Sequence, residues 1–193
     1  MRGHWLTLLA LDARLAGVVR GAREPMLAQL RLAWWRDRLA GDPASWPKGE
    51  PLLARLRGWG AQAAALVPLV DGWEALLGDA PLGADALRGF AEGRAAAAGA
   101  LAVAIAADEA QARTNAHRWA LADLALHLDD PEERSTAMEL LGHAAPALRL
   151  SRPLRPLALL RGLSERAMRQ GAGEALSGPG ALIAAIRLGI AGC

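Results

Sequence analysis

The sequence predicts an all-α fold, a single helical bundle of about eight helices occupying residues 1–193 as one domain. Three observations carry this. The 193 residues include 45 alanines, one phenylalanine and no tyrosine, which favours helix and disfavours strand. Apolar residues recur three and four apart through most of the chain, as in Leu8, Leu11, Leu15 and Val18. Gly21, Gly41 and the turn-rich stretches at 78–83 and 171–173 separate these segments, Pro25, Pro51 and Pro131 open helices, and no fixed-period repeat is present.

The elements follow in order. His4 to Arg20 is a helix broken by Gly21. Glu24-Pro25 restarts the chain, with proline at a first helical position, and the helix runs to Ala40 before Gly41. Pro51 opens a third helix expected to end near Pro68, followed by a short piece from Trp73 to Leu77. A long alanine-rich helix is expected from Ala84 to Ala107, and another from Glu109 to Leu128. Asp130-Pro131-Glu132-Glu133 reads as a cap and an acidic first turn for a helix to Ala145, interrupted at Pro146. Two more helices, Leu154 to Gln170 and Pro179 to Ile190, flank Gly171-Ala172-Gly173.

Composition excludes several function classes. A net charge of +2 does not steer nucleic acid, and the basic residues lack interleaved aromatics. Cys193 is the single cysteine, so there is no disulfide framework and no cysteine-based metal site. The longest apolar run, Ala95 to Ala107, is short of the roughly 20 residues a transmembrane helix needs. Met1 to Leu11 is followed at once by Asp12 and Arg14, and no secretory signal is read there.

The most distinctive stretch is Arg23-Glu24-Pro25-Met26-Leu27-Ala28-Gln29-Leu30-Arg31-Leu32-Ala33-Trp34-Trp35-Arg36-Asp37-Arg38-Leu39. Leu27, Leu30 and Trp34 make one apolar stripe, and Leu32, Trp35 and Leu39 another. The expectation is a helix sandwiched inside the bundle, with Arg31 stacked on Trp35. This block, with Glu24, Pro25, Arg31, Trp34, Trp35, Arg36 and Asp37 at its centre, resembles the squalene/phytoene synthase family. It is especially similar to the divergent branch that includes mitochondrial complex I assembly factors. Phe90-Ala91-Glu92-Gly93-Arg94, His117 to Leu124, and Leu150 to Leu157 are similar to later family segments, in the right order.

The resemblance implies an isoprenoid-synthase-like bundle around a central cavity. In active members, two D-x-x-x-D pairs on facing helices hold Mg²⁺ against the diphosphate of a prenyl substrate. Ungapped placement puts the first pair at Ala16 and Arg20 and the second at His127 and Pro131. No two aspartates stand four apart anywhere in the chain. The leading reading is therefore a shortened, non-catalytic member. It would be an accessory or assembly-type factor binding an apolar or isoprenoid ligand or a protein partner, with no cofactor.

Two alternatives stay open. One is an active head-to-head prenyltransferase using Mg²⁺ and relocated acids, Asp12, Asp123, Asp129 and Asp130. The other is a structural subunit of a hetero-oligomer. The expected location is cytoplasmic, with peripheral contact at the inner membrane as an option. His127, Asp129, Asp130 and His143 lack the spacing of a zinc site. The basic run Arg149, Arg152, Arg155, Arg161, Arg166 and Arg169 reads as a solvated face, or as contact with an acidic partner or membrane surface.

Overall fold

The computed structural model describes residues 1–22, 24–170, 185 and 187–189. The expected helix over 179–190 and the glycine turn over 171–173 lie outside the described residues, apart from those four positions. Among the described residues the fold is all-α, with eight α-helices and no strand. They are α1 (Arg2–Arg20), α2 (Pro25–Ala40), α3 (Pro51–Leu56), α4 (Val67–Ala75), α5 (Ala84–Ala104), α6 (Glu109–His127), α7 (Pro131–His143) and α8 (Arg155–Gln170).

The punctuation works mostly as expected. Gly21 and Gly41 cap α1 and α2, and Pro25 opens α2. Asp108 and Asp130 cap α6 and α7 by accepting hydrogen bonds from Gln111 N and from Glu132 N and Glu133 N. The third helix differs from expectation. It ends at Leu56 and gives way to a 3₁₀ stretch, Arg57–Leu66, in which Gly60 has φ 54° and ψ −132°. Only glycine takes that conformation without strain. Pro68 lies in the first turn of α4 instead of ending α3, so Trp73 belongs to a nine-residue helix. The alanine-rich helix stops at Ala104, three residues early, because Ala106 turns to φ 53°.

α5 is the axis of the bundle, with α4 and α6 against it and α1 and α7 completing the surround. Its small residues set the distance to α4. A Cβ on Gly93 would lie 2.3 Å from Pro68 O and 3.1 Å from Gly72 Cα. Backbone therefore meets backbone there, and neither side has a flexible atom to give way. The bulky part of the core comes from other helices: Leu11 and Leu15 of α1, Leu53 and Leu56 of α3, Leu69 of α4 and Leu121 of α6 are all essentially sealed from water.

α2 corrects another expectation. Its Leu32, Trp35 and Leu39 stripe is buried, but Met26, Leu27, Leu30 and Trp34 are exposed, at 70%, 48%, 62% and 39%. The helix is not sandwiched; it lies on the bundle with an apolar outer face. Arg31 does not stack on Trp35. Arg38 instead stands 6.0 Å from the Trp34 ring, and Trp34 meets Trp35 edge to face at 5.0 Å. Arg36 ties α2 to α4 through Asp71, at 2.7 Å, and Glu74.

Two glycines should respond oppositely to alanine. Gly93→Ala gains about 1 kcal/mol of helix propensity but forces overpacking that costs about 1–3 kcal/mol or more, and should lower the urea midpoint. Gly142→Ala in α7 meets nothing within 4 Å and should raise it. Equal shifts in the two would contradict the α4–α5 contact.

Candidate functional site

An arginine on an alanine-rich helix should point to water unless something inside compensates its charge. Arg94 of α5 is 7% exposed, and what compensates it is a pair of carboxylates from two different helices. Its Nε and Nη2 donate to Oδ1 and Oδ2 of Asp12 on α1, at 3.2 and 2.8 Å. Its Nη1 donates to Oδ2 of Asp123 on α6, at 2.6 Å. Trp73 Nε1 on α4 donates to Asp12 Oδ1 at 2.8 Å. Four helices thus converge on one ion cluster.

The walls are aromatic. The guanidinium carbon lies 4.4 Å from the Trp119 ring centroid, 4.7 Å from Phe90 and 5.4 Å from Trp73. Burial by itself pushes the Arg94 pKa down, but the charges of Asp12 and Asp123 and their hydrogen bonds override it and raise it above the ordinary arginine value. Arg94 is therefore a permanent cation. Two carboxylates against one guanidinium leave the cluster one formal negative charge.

The cluster is filled, not hollow. The space bordered by Trp5, Leu8, Asp12, Arg94, Trp119 and Leu157 measures only about 10 Å³. That is about the limit for one water molecule.

The proposed acids divide into two pairs. Asp12 and Asp123 meet at Arg94. Asp129 is exposed in the turn after α6, and Asp130 spends its carboxylate capping α7, so neither reaches the cluster. The expected four-acid site is thereby corrected. Asp12 lies four residues before Ala16, and Asp123 four before His127, so each aspartate shares a helix face with one of those positions. No group of three or more His, Cys, Asp or Glu side chains among the described residues could hold a metal ion.

The basic face is also corrected. Arg149 and Arg152 are exposed and Arg155 is half-buried. Arg161 is 7% exposed and pairs with Glu165 at 3.4 Å, while Arg118 of α6 holds the same carboxylate at 2.9 Å. Glu165 therefore fastens α8 to α6 through Arg118, and Arg161, buried beside it on α8, cannot belong to a solvated docking face.

Arg94 itself was not among the candidate residues. A signal existed: Phe90, Arg94, Ala97 and Leu101 fall on one stripe of α5, and a lone charge on an apolar stripe implies a buried partner.

A hollow of about 410 Å³ lies between Pro68, Asp71, Glu92 and Arg113, and two larger ones also lie outside the cluster. The larger, about 840 Å³, runs between α1 and α2, with Ala10, Ala13 and Gly17 on one side and Arg31, Trp34 and Trp35 on the other. The second, about 480 Å³, contains Glu92, His117, Glu139 and His143 between α5, α6 and α7. Burial holds the His117 imidazole below its ordinary pKa of 6.5; Glu92 opposes this and Arg118 adds to it.

No family model matches the chain, and no curated protein or solved structure matches it either. No described helix is long and apolar enough to cross a membrane.

Arg94→Met leaves two largely buried carboxylates without their shared cation and should cost about 3–5 kcal/mol in urea unfolding. Adding Asp12→Asn and Asp123→Asn should recover most of that loss; a triple variant as unstable as the single one would contradict the cluster's role. His117 gives a pH test. The unfolded imidazole takes a proton at higher pH than the folded one, so stability falls as pH drops below about 6.5. His117→Gln should flatten the urea midpoint between about pH 7.5 and pH 5.5; an unchanged slope would show that other groups set it.

Proposed function

We propose that the chain is a non-catalytic protein resembling the squalene/phytoene synthases, acting as an accessory factor that binds a protein partner. The observation that carries the reading is Arg94, which takes up Asp12 with two hydrogen bonds and Asp123 with a third. Head-to-head coupling of prenyl diphosphates needs paired carboxylates free to hold Mg²⁺. Here Asp12 and Asp123 each stand singly, with Ala16 and His127 four residues on, and the positions placed on the family's two pairs, Ala16 with Arg20 and His127 with Pro131, carry no carboxylate.

Magnesium does not fit this donor set. Both Asp12 oxygens already accept hydrogen bonds, and a permanent cation sits between the two carboxylates. A divalent ion there would face Arg94 at contact distance, where burial of the guanidinium weakens solvent screening of the repulsion. The aromatic walls and the filled centre also leave no room for a prenyl chain, which favours a protein partner over a lipid tail held inside the bundle. The exposed apolar face of α2 favours it as well, because monomeric proteins rarely leave such contiguous patches uncovered without a use.

The prenyltransferase alternative keeps one supporting observation, the convergence of Asp12 and Asp123 from facing helices. Incubating the purified chain with farnesyl or geranylgeranyl diphosphate and Mg²⁺ separates the readings. The expected outcome is no coupled product and no diphosphate release above the protein-free control. A head-to-head coupled product that disappears in Asp12→Asn would overturn the non-catalytic reading.

A further inference from the structure

We propose that the groove between α1 and α2 docks an acidic amphipathic helix of a partner protein. The proposal rests on the accessory reading above and adds to it the docking face and the chemistry of the partner.

The groove has the form a helix needs. Ala10, Ala13 and Gly17 are exposed along one side of α1, so another backbone can come close. A Cβ on Gly17 would meet nothing within 4 Å, which leaves that approach open. Across from them Trp34 is 39% exposed and offers an aromatic wall, with buried Trp35 behind it. Leu27 and Leu30 extend the apolar surface along α2. A ridge of apolar side chains spaced three and four apart would fill such a trough.

Charge selects the occupant. Residues 1–40 contain seven arginines and three acids, although the whole chain is only +2. One of those acids, Asp12, is spent internally on Arg94. Arg14 and Arg31 border the groove, and Glu50, paired to Arg14 at 3.6 Å, is its single acid. Arg31 has no acid within salt-bridge distance among the described residues. An occupant with acidic flanks would satisfy Arg31 and be steered by the net positive charge it makes with Arg14 and Glu50.

The alternatives fit less well. A second copy docked face to face would bring together two grooves that each carry two arginines and one acid, a net like-charge contact. A flat anionic membrane would touch the raised Met26, Leu27 and Leu30 but would leave the floor at Ala13 and Gly17 unfilled.

The test is photo-crosslinking with the full chain expressed in its source organism. A benzoylphenylalanine replaces Trp34 in one variant and exposed Ala10 in another, so one failed fold does not end the experiment. Met138, an exposed apolar residue of α7, takes the same group as the control. The expected result is a crosslink from both groove positions, and not from Met138, to a partner segment with apolar residues three and four apart and net negative charge. Arg14→Glu with Arg31→Glu should cut its yield about tenfold, and acid-to-lysine changes in the partner segment should restore it. Adducts to lipid alone, to a second copy or to a basic segment would overturn the proposal, and so would no adduct above the control. The diphosphate assay remains separate: coupled product with the crosslink intact would overturn the non-catalytic reading and leave the dock standing.

Discussion

Arg94 places a permanent positive charge in a core made chiefly of alanine and leucine, and the helices around it are arranged to make that tolerable. A lone guanidinium in such a place would be prohibitive. Asp12 from α1 and Asp123 from α6 answer its charge, Trp73 from α4 steadies Asp12, and Phe90 and Trp119 cover the planar faces. The interaction is directional. A fork of nitrogens meets Asp12 side-on through Nε and Nη2 and Asp123 through Nη1 alone, so it fixes the rotation of three helices about their own axes. Apolar alanine faces could slide past one another without such a key. A buried ion cluster adds little net stability compared with apolar packing, so its contribution here is register.

The same helix that carries Arg94 carries the glycine that makes the cluster reachable. Gly93 lets α5 approach α4 until their backbones touch at Pro68 and Gly72. That contact brings Trp73 within hydrogen-bonding distance of Asp12 while its ring packs edge to face on Phe90 at 4.8 Å. The glycine at 93 and the arginine at 94 therefore act as one device, the first setting helix spacing and the second using it. Across the separate α2–α4 contact, Arg36 makes a more exposed counterpart with Asp71 and Glu74. Solvent screening makes that one a weaker constraint.

Local signals in the sequence were legible where their cause was local. Pro25, Gly41, Asp108 and Asp130 mark helix ends because a missing N–H, a small residue or a carboxylate acts within one turn. Pro68 misled, because proline both stops a preceding helix and starts a following one, and only the turn at Gly60 decides which. The outer face of α2 misled for another reason. Leu27, Leu30 and Trp34 look like core by composition, yet no element among the described residues covers them. Periodicity reports an apolar face but not what lies against it. Among the site residues, Asp12 and Asp123 were named, whereas the arginine joining them was hidden in an alanine run, since pairing across 82 residues leaves no mark on spacing.

The central claim is that the Arg94 guanidinium is held rigidly between Asp12 and Asp123. Nitrogen-15 NMR of arginine side chains tests it directly. The account predicts separate, slowly exchanging Nη signals for Arg94 at neutral pH, unmoved when Mg²⁺ is added in excess. A single averaged Nη signal, or one that shifts and broadens with Mg²⁺, would contradict it.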